Sequence, residues 1–318
     1  MLRFIKILIN AKYNFLPPSK KNILIYDHHS KEIIGKIFNI KKTSFLSTRK
    51  ENINLYILFR TLLEFKFQHI NYVINYIKHV NPKLLITAID NDKNFYIIKN
   101  FIPKLITIFI QNGQRTAGNG DIFTILKNKK LSNYKKLFNV DLMCVFNQMT
   151  SEFYKKFITG KTYISGSVKN NCKKIYHKKK GLLYISLHRP QKQPLDLIMK
   201  LKHKREKKIL QVIDKFCITK NLNLKILGKH INIKAQEDEK KYYESIVGKQ
   251  FTFIGNTKNR NTYKYLDNSE IIVSTGSTMF LESLARKNKT AIMHSFPNKE
   301  CYWGCLLYTS DAADEEDS

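Results

Sequence analysis

The segment Tyr265–His294 constrains the fold more than any other part of the sequence. Its pattern predicts a helix, a buried strand, a turn of small polar residues, a second helix and a second buried strand. The apolar run Ile271–Val273 stops at the polar turn Ser274–Thr278, after which apolar residues recur at helical spacing. Helices that alternate with strands in this way connect parallel strands, so the segment predicts one unit of an α/β fold.

The same alternation runs through the rest of the chain. The other predicted strands are Ile23–Tyr26, Leu84–Ile89, Ile106–Ile110, Leu142–Phe146, Leu182–Leu187, Leu224–Leu227 and Phe251–Ile254. Ile53–Val80 lacks Pro and Gly and is predicted to be largely helical, and the lysine-rich passage Lys169–Lys180 is predicted to be a linker. The sequence therefore predicts an α/β protein with two Rossmann-like domains that face a cleft, at residues 1–168 and 181–304.

The last residues differ from everything before them. The sequence CLLYTSDAADE, which begins at Cys305, resembles the in-frame translation of a sequencing adapter, and acidic residues crowd abruptly into its end. We expect the natural protein to be truncated near Gly304, within its C-terminal domain. Residues 305–318 are then an artefactual tail that packs against nothing.

The charge balance indicates an anionic partner. The chain has 318 residues, with 56 Lys and Arg against 25 Asp and Glu, and its formal net charge is +31. We find no signature of an RNA- or DNA-binding module, so nucleic acid is not an expected partner. An anionic membrane surface fits the excess of lysine, which predicts a peripheral location on the inner face of the cell membrane.

The sequence lacks the signatures of several other protein classes. The five cysteines have no metal or disulfide spacing, which is typical of a reduced, cytoplasmic protein. The nine histidines form no known ligand motif, so no metal is predicted. Neither a Walker A motif nor GxGxxG is present, so no ATP or NAD cofactor is predicted. No apolar run reaches the length of a membrane-spanning helix.

Polar clusters follow the predicted strands of the first half. Asp27, His28 and His29 come directly after Ile23–Tyr26, and Asp90 follows a later strand. The carboxyl ends of parallel strands share one edge of a sheet, so these side chains are expected to converge. Histidine titrates near neutral pH, so Asp27 and His28 are candidate catalytic residues for deprotonating an acceptor hydroxyl, with Asp90 as the rival base. Capping a helix or turn is the alternative role of the two aspartates.

The second half carries a candidate site for a nucleoside diphosphate. His188 and Arg189 follow a buried strand, and both can donate to phosphate oxygens. Ser277 and Thr278 begin a helix, where N–H groups and the dipole favour an anion. Glu282 on that helix could accept hydrogen bonds from a ribose. The alternatives are a surface loop around Arg189, an N-cap at Ser277 and a solvated Glu282.

The segment Leu84–Arg115 resembles part of the bacterial surface-carbohydrate (O-antigen type) biosynthesis proteins, which are GT-B glycosyltransferases. The shared pattern is a strand, Ile-Asp-Asn, a helix, Pro, a strand and Gln-Asn-Gly-x-Arg. Its most specific residues are Asp90, Gln111, Asn112, Gly113 and Arg115, and with Asn91 these form the expected acceptor side. The resemblance also covers Tyr265–His294. It implies a nucleotide-sugar donor in the C-terminal half and a saccharide or lipid-linked saccharide acceptor in the N-terminal half, with transfer that uses no metal.

Two other functions stay open. Non-hydrolysing nucleotide-sugar 2-epimerases are similar at Gln111–Thr116 and Ser186–Arg189, but this chain has Asn112 where they carry Glu. A non-catalytic basic protein that binds membrane or nucleic acid is the third possibility. Such a protein would lose binding steeply with added salt and would have no affinity for nucleotides.

Overall fold

The structure is a computed structural model that describes residues 11–35, 37–48, 52–65, 68–113, 131–171, 173–174, 179–188, 197–256 and 262–293. By its internal packing the chain divides between Lys169 and Asn170 into a first unit and a second unit. Each unit contains a parallel sheet of its own, so the predicted α/β class with two Rossmann-like sheets is confirmed.

The first unit is built on a six-stranded sheet. Its strands are β2 (Ile23–Tyr26), β3 (Thr43–Leu46), β5 (Leu84–Thr87), β6 (Ile106–Ile110), β7 (Asn139–Val145) and β8 (Thr159–Ile164), in the order β3-β2-β5-β6-β7-β8. Every neighbouring pair is parallel. Two short strands, β1 (Lys12–Asn14) and β4 (Asn52–Asn54), form a separate parallel pair.

Both faces of this sheet are buried. Along β2, Leu24 and Tyr26 pack into one apolar cluster, while Ile25 packs into another on the opposite face. Side chains alternate between the faces of a strand, so a continuous apolar run is what a sheet covered on both sides requires.

The helices of the first unit depart from prediction at one place. They are α1 (Lys31–Ile34), α2 (Leu55–Leu63), α3 (His69–Val80), α4 (Lys93–Phe101), α5 (Leu131–Lys135) and α6 (Gln148–Lys155). The prediction that Ile53–Val80 is largely helical is confirmed, but the stretch is broken, because α2 ends at Leu63 and Phe65 has a left-handed φ of 55°. The main chain therefore turns there without Gly or Pro.

The second unit is built on a five-stranded parallel sheet. Its strands are β9 (Leu182–Ile185), β10 (Leu224–Leu227), β11 (Thr252–Ile254), β12 (Ile271–Ser274) and β13 (Lys289–Ile292), in the order β11-β10-β9-β12-β13. Its helices are α7 (Leu197–Thr219), α8 (Ile233–Val247), α9 (Tyr263–Asp267) and α10 (Thr278–Ala285). The helix–strand–turn–helix–strand order predicted for Tyr265–His294 is confirmed.

The predicted linker is divided between the two units, because Lys169 Nζ donates to the Asn112 carbonyl in the first unit, whereas the described residues after it bond within the second unit. Asn170 donates from Nδ2 to the carbonyl of Glu282 at 3.2 Å, and Lys179 Nζ donates to Asn288 Oδ1 at 3.0 Å. Arg286 donates a hydrogen bond to the side chain of Asn170 and forms a salt bridge with the buried Asp267. The predicted linker begins where the chain divides into its two units. Asn170 and Lys179 are nevertheless held in place by hydrogen bonds to the second unit. The domain limits at 168 and 181 stay a prediction, and residues 305–318 lie outside the described residues.

Candidate functional site

Each sheet has a point where its strand order reverses. In the first unit, β2 leads to β3 on one side while β5 lies on the other side. In the second unit, β9 leads to β10 on one side while β12 lies on the other. Open α/β sheets bind ligands outside the carboxyl ends of the two strands at such a reversal. The segments at these two points are Asp27–His29 with Ala88–Asp90, and Ser186–His188 with Thr275–Ser277.

An aspartate–histidine pair lies at the reversal in the first unit. Asp27 Oδ1 accepts from the main-chain N–H of His29 at 2.8 Å, and His29 Nδ1 lies 3.0 Å from the same oxygen. Thr48, after β3, donates to Asp27 Oδ2 at 2.8 Å. Asp27 is buried and has a φ of 72°, whereas the His29 side chain is 49% exposed. A positive φ in a residue other than Gly is strained, and such strain clusters at functional sites.

The adjacent His28 has different surroundings. It is exposed, and its ring meets Phe45 edge to face with centroids 5.7 Å apart. His28 also lines a surface pocket with Asn54 and Tyr76. The three polar residues predicted after β2 therefore separate into an oriented His29, its partner Asp27, and a His28 that faces a pocket.

Asp90 is a buried carboxylate with structural partners. Tyr154 donates to its Oδ2 at 2.5 Å, and the main-chain N–H of Asn112 donates to its Oδ1 at 3.3 Å. These bonds connect the ends of β5 and β6 with α6. The neighbouring Asp92 caps α4 by accepting from Asn94 N–H at 2.9 Å. Asp90 as a base stays a prediction, and its geometry is that of a residue that positions the Asn112 loop.

The Gln111–Gly113 turn is held from two sides. Gln111 Oε1 accepts from Phe146 N–H at 2.8 Å, which connects the ends of β6 and β7, and its Nε2 donates to the Gly113 carbonyl at 3.0 Å. The amide oxygen of Asn112 is buried with no hydrogen-bond partner among the described residues. Asn91 is half-buried beside Asp90, and Arg115 lies outside the described residues.

In the second unit, buried Glu239 organises the loops after β9 and β10. Its carboxylate accepts from the main-chain N–H groups of Lys229 at 3.0 and 3.1 Å and of His230 at 3.3 Å, and from the Ser186 hydroxyl. Ser186 also lies 2.6 Å from the Tyr243 hydroxyl. A second buried carboxylate, Glu206, accepts from Tyr184 at 2.8 Å. Burial, followed by the charge of Glu206, raises the pKa of Tyr184, so this tyrosine stays protonated.

Three histidines from separate segments gather beside this network. The rings of His188 and His230 have centroids 5.6 Å apart, and Tyr242 lies 4.9 Å from His188 and 5.9 Å from His203. His188 Nδ1, His203 Nδ1 and His230 Nε2 are all buried and find no hydrogen-bond partner within the described part of the chain. Buried polar atoms normally have partners, so this cluster has capacity for a polar ligand.

His188 is a neutral donor or acceptor at neutral pH. Burial is the largest cause that lowers the pKa of His188, and Glu239 opposes it only in part because His230, His203 and Lys229 lower it further. The side chain therefore offers hydrogen bonds to a ligand, not the cationic charge that the sequence also allowed. Arg189 lies outside the described residues.

One ligand set for a metal is present among the described residues. His188, His230 and Glu239 each place a potential ligand atom within 4.8 Å of the others. Both Glu239 oxygens already accept hydrogen bonds from main-chain N–H groups, which makes the carboxylate a loop anchor. The absence of a metal stays a prediction from the sequence.

The turn between β12 and α10 has the geometry of a capped helix start. Ser277 is the N-cap, and its hydroxyl accepts from Met279 N–H at 3.3 Å. Ser274 Oγ accepts from Ser277 N–H at 3.1 Å. Gly276 has a φ of 140°, and a Cβ built there would lie 3.8 Å from Leu187, in the loop after β9. The turn therefore lies beside the loop that carries His188, and Thr278 is the first residue of α10.

Glu282 is buried, so the solvated-glutamate alternative is wrong. Its Oε2 accepts from the Tyr263 hydroxyl at 2.9 Å. Tyr263 is on α9, so the bond joins the two helices that flank β12. An ionised carboxylate is an acceptor at both of its oxygens.

Lower pH is expected to destabilise the second unit through His188. The unfolded chain binds a proton near the ordinary pKa of about 6.5, whereas the folded state resists it, so stability is complete above that pH and falls as the pH drops toward the folded pKa. Urea unfolding from pH 7.5 to 5.5, both about one unit from that value, should show a shallower pH dependence for His188→Gln. The exposed His28→Gln is the control, and equal pH slopes for wild type and His188→Gln would contradict the prediction.

The sequence matches one family model, described as "putative O-antigen biosynthesis protein", over residues 108–299. That range is more than half of the 318-residue chain and includes the β12–α10 turn. The chain belongs to this O-antigen biosynthesis protein family. No curated protein matches the sequence.

Solved structures share the fold at low identity. A structure titled "putative UDP-N-acetylglucosamine 2-epimerase" from Listeria monocytogenes superposes with a TM-score of 0.50 and 13% identity, over 86% of this chain and 79% of that one. The S. aureus MnaA–UDP structure has a TM-score of 0.49 and 14% identity over 86% and 78%. MurG from Acinetobacter baumannii has 0.44 and 8% over 91% and 90%. The two parallel sheets and the likeness to the Listeria structure show that this family member has a GT-B-like fold.

Several site residues of this O-antigen family member carry no local sequence signal. His203 and Glu239 lie on amphipathic helices rich in charged residues, where nothing in the pattern distinguishes them. His230 follows β10 in a polar turn of the kind that ends any strand, yet its ring adjoins His188. Among the described helices, none combines the length and apolar character needed to cross a bilayer.

Proposed function

We propose that the protein is a glycosyltransferase of cell-surface polysaccharide biosynthesis. It transfers a sugar from a nucleotide-activated donor to a saccharide or lipid-linked saccharide acceptor. The observation that carries the proposal is the pair of strand-order reversals, each lined by polar side chains suited to one half of the reaction. Family membership and the GT-B-like fold support it.

The second unit holds the donor diphosphate. His188, His203 and His230 bring buried ring nitrogens, which have no hydrogen-bond partner among the described residues, to the end of β9 and β10. On the other side of β9, the start of α10 contributes Ser277 and Thr278, and the positive end of its dipole favours phosphate. Phosphate oxygens are acceptors, so ring N–H groups that donate hydrogen bonds to them satisfy both partners. These donors stabilise the negative charge on the leaving diphosphate without requiring a metal.

Glu282 binds the ribose of the donor. It is on the same helix whose N-terminus faces the phosphates, and Tyr263 fixes its carboxylate. A carboxylate can accept from both hydroxyls of a ribose, which places the nucleoside along α10. Arg189 is proposed as a further phosphate ligand, as the sequence predicts.

The first unit activates the acceptor. Asp27 orients the His29 imidazole through Nδ1, so Nε2 is the atom that removes the proton from the acceptor hydroxyl. Asp27 also stabilises the imidazolium that forms, since an opposite charge favours the protonated state. His28, Asn91 and the Gln111–Gly113 turn line the acceptor side in this proposal. Attack by a deprotonated hydroxyl on the anomeric carbon inverts its configuration.

We expect Glu282→Ala to weaken nucleoside diphosphate binding about ten- to a hundred-fold. A lost charge-assisted hydrogen bond costs about 1.5–3 kcal/mol, and about 1.4 kcal/mol corresponds to a factor of ten. Glu282→Gln should cost less, because its amide oxygen still accepts. Calorimetry with UDP, GDP and CDP in turn would measure the effect.

Tyr263→Phe is the matched control for Glu282, since it removes the protein partner and keeps the carboxylate. If no nucleoside diphosphate binds the wild type, the donor site is wrong. If Glu282→Ala binds as tightly as wild type, only the ribose assignment fails. A 2-epimerase, the alternative function, would interconvert a nucleotide-sugar with no acceptor present, whereas the transferase releases the nucleoside diphosphate only with one.

A further inference from the structure

Helix α2 of the first unit has an apolar side that the described structure leaves uncovered. Ile57 and Thr61 face inward and are buried. On the opposite side, Phe59 is 64% exposed and Leu63 is 63% exposed. An amphipathic surface helix normally presents polar residues outward, so α2 is apolar on both sides.

The exposed apolar residues continue into the segment after β1. β1 pairs with β4 in register, with Asn14 opposite Asn54, and β4 leads directly into α2. Asn54 Nδ2 donates to the Leu16 carbonyl at 2.7 Å, which holds the exposed Phe15 and Leu16 beside the start of α2. We define the apolar face as Phe15, Leu16, Tyr56, Phe59, Leu62 and Leu63.

Basic residues flank the apolar face, and the acidic Glu64 follows Leu63 at the end of α2. Lys12 and Lys20 are exposed on either side of Phe15 and Leu16, and Arg60 is exposed on α2. Five basic residues and no acidic residue precede Asp27 in the sequence. Long basic side chains extend their charges to lipid headgroups while their stems lie along apolar surface.

We propose that the apolar face inserts into the interfacial region of an anionic lipid bilayer, with the flanking Lys and Arg side chains on the headgroups. The net charge of +31 favours an anionic lipid surface and opposes a second copy of the same chain. Apolar burial provides the affinity and charge provides the preference for anionic lipid. The inference gives a structural basis for the peripheral membrane location that the excess of lysine predicts, and it is independent of the proposed donor site.

Vesicle co-sedimentation of the full chain tests this proposal. The probe is phosphatidylcholine vesicles with and without phosphatidylglycerol, at low and high salt. Phe59→Ser combined with Leu63→Ser should reduce partitioning into anionic vesicles by about tenfold or more, since two large apolar side chains no longer leave water. The reduction should persist at high salt, because burial of apolar surface is not screened.

A matched control is available on α7. Val212 is 61% exposed and Ile218 is 69% exposed, so Val212→Ser with Ile218→Ser removes similar apolar surface elsewhere. This control should partition like the wild type. Equal partitioning of all three proteins would overturn the proposal. So would a wild-type dimer that the Phe59/Leu63 variant converts to a monomer in sedimentation without lipid. If the Phe59/Leu63 variant still binds UDP, GDP or CDP as the wild type does, its donor site is intact.

Discussion

Replacing His29 with alanine is expected to slow sugar transfer by about a hundred- to ten-thousand-fold, the usual contribution of a general base. His29 is the histidine that Asp27 orients, and the proposed inverting reaction needs the acceptor hydroxyl to lose its proton as the bond forms. The effect should appear in kcat, because the imidazole acts in the transition state and not in donor binding.

The measurement is transfer of labelled sugar from the nucleotide-sugar whose nucleoside diphosphate binds the wild type. Asp27→Asn should also lower kcat, because it keeps the shape and removes the charge that stabilises the imidazolium. His28→Ala shows which of the two adjacent histidines is the base. A larger loss of kcat in His28→Ala than in His29→Ala would assign the base to His28. Nucleoside diphosphate affinity measured by calorimetry should be unchanged in all three variants.

Asp267→Ala is expected to cost about 3–5 kcal/mol of the free energy of unfolding, because it leaves the buried Arg286 guanidinium without its counter-charge. Both side chains are almost fully buried, and Arg286 Nε donates to Asp267 Oδ1 at 2.8 Å. Arg286 also donates to the amide oxygen of Asn170 at 3.2 Å, so the pair anchors the first residue of the second unit on α10.

Urea denaturation of the full chain would measure this loss. The control is the exposed pair Lys240–Glu244, 3.7 Å apart on α8, where Glu244→Gln should change stability by less than about 1 kcal/mol. Replacing both partners, Asp267→Leu with Arg286→Met, should be less destabilising than Asp267→Ala alone, because no charge is left unpaired. A loss below about 1 kcal/mol for Asp267→Ala would show that the guanidinium is hydrated or otherwise paired.

Much of the fold was predictable from local pattern. Ile23–Tyr26, Ile106–Ile110 and Leu224–Leu227 form strands with the predicted bounds. Each is a short apolar run that ends at polar residues, and a strand buried on both faces requires that pattern. Polar clusters after such strands had to share one edge, because the carboxyl ends of parallel strands do.

The break between α2 and α3 was not predictable. Ile53–Val80 has good helical periodicity and no Pro or Gly, yet Phe65 adopts a left-handed conformation. Packing of α2 against α3 requires the chain to reverse direction, and tertiary contacts outweigh the weak local preference for helix.

The roles of the polar residues depended on contacts between distant segments. In the sequence, Asp27, His28 and His29 are adjacent polar residues, and nothing there indicates which of them interact. Only the fold pairs Asp27 with His29 and with Thr48. Asp90 is a candidate base in the sequence, and only the fold brings Tyr154, which is 64 positions away, to its carboxylate. Burial and pairing set whether a carboxylate is a base or an anchor, and neither is a property of local sequence.

The sequence by itself determined the parallel sheets and the polar edges at their carboxyl ends, because these follow from apolar periodicity. It also determined the family, through the resemblance of its motifs to those of known proteins. The tertiary structure decided which side chains meet. His188, His203 and His230 come from a loop, a helix and another loop, and they adjoin only because β9 and β10 pair in register and α7 and α8 pack together. Hydrogen-bond partners and desolvation depend on distances in the folded chain, so a site built from separate segments exists only once those segments have packed.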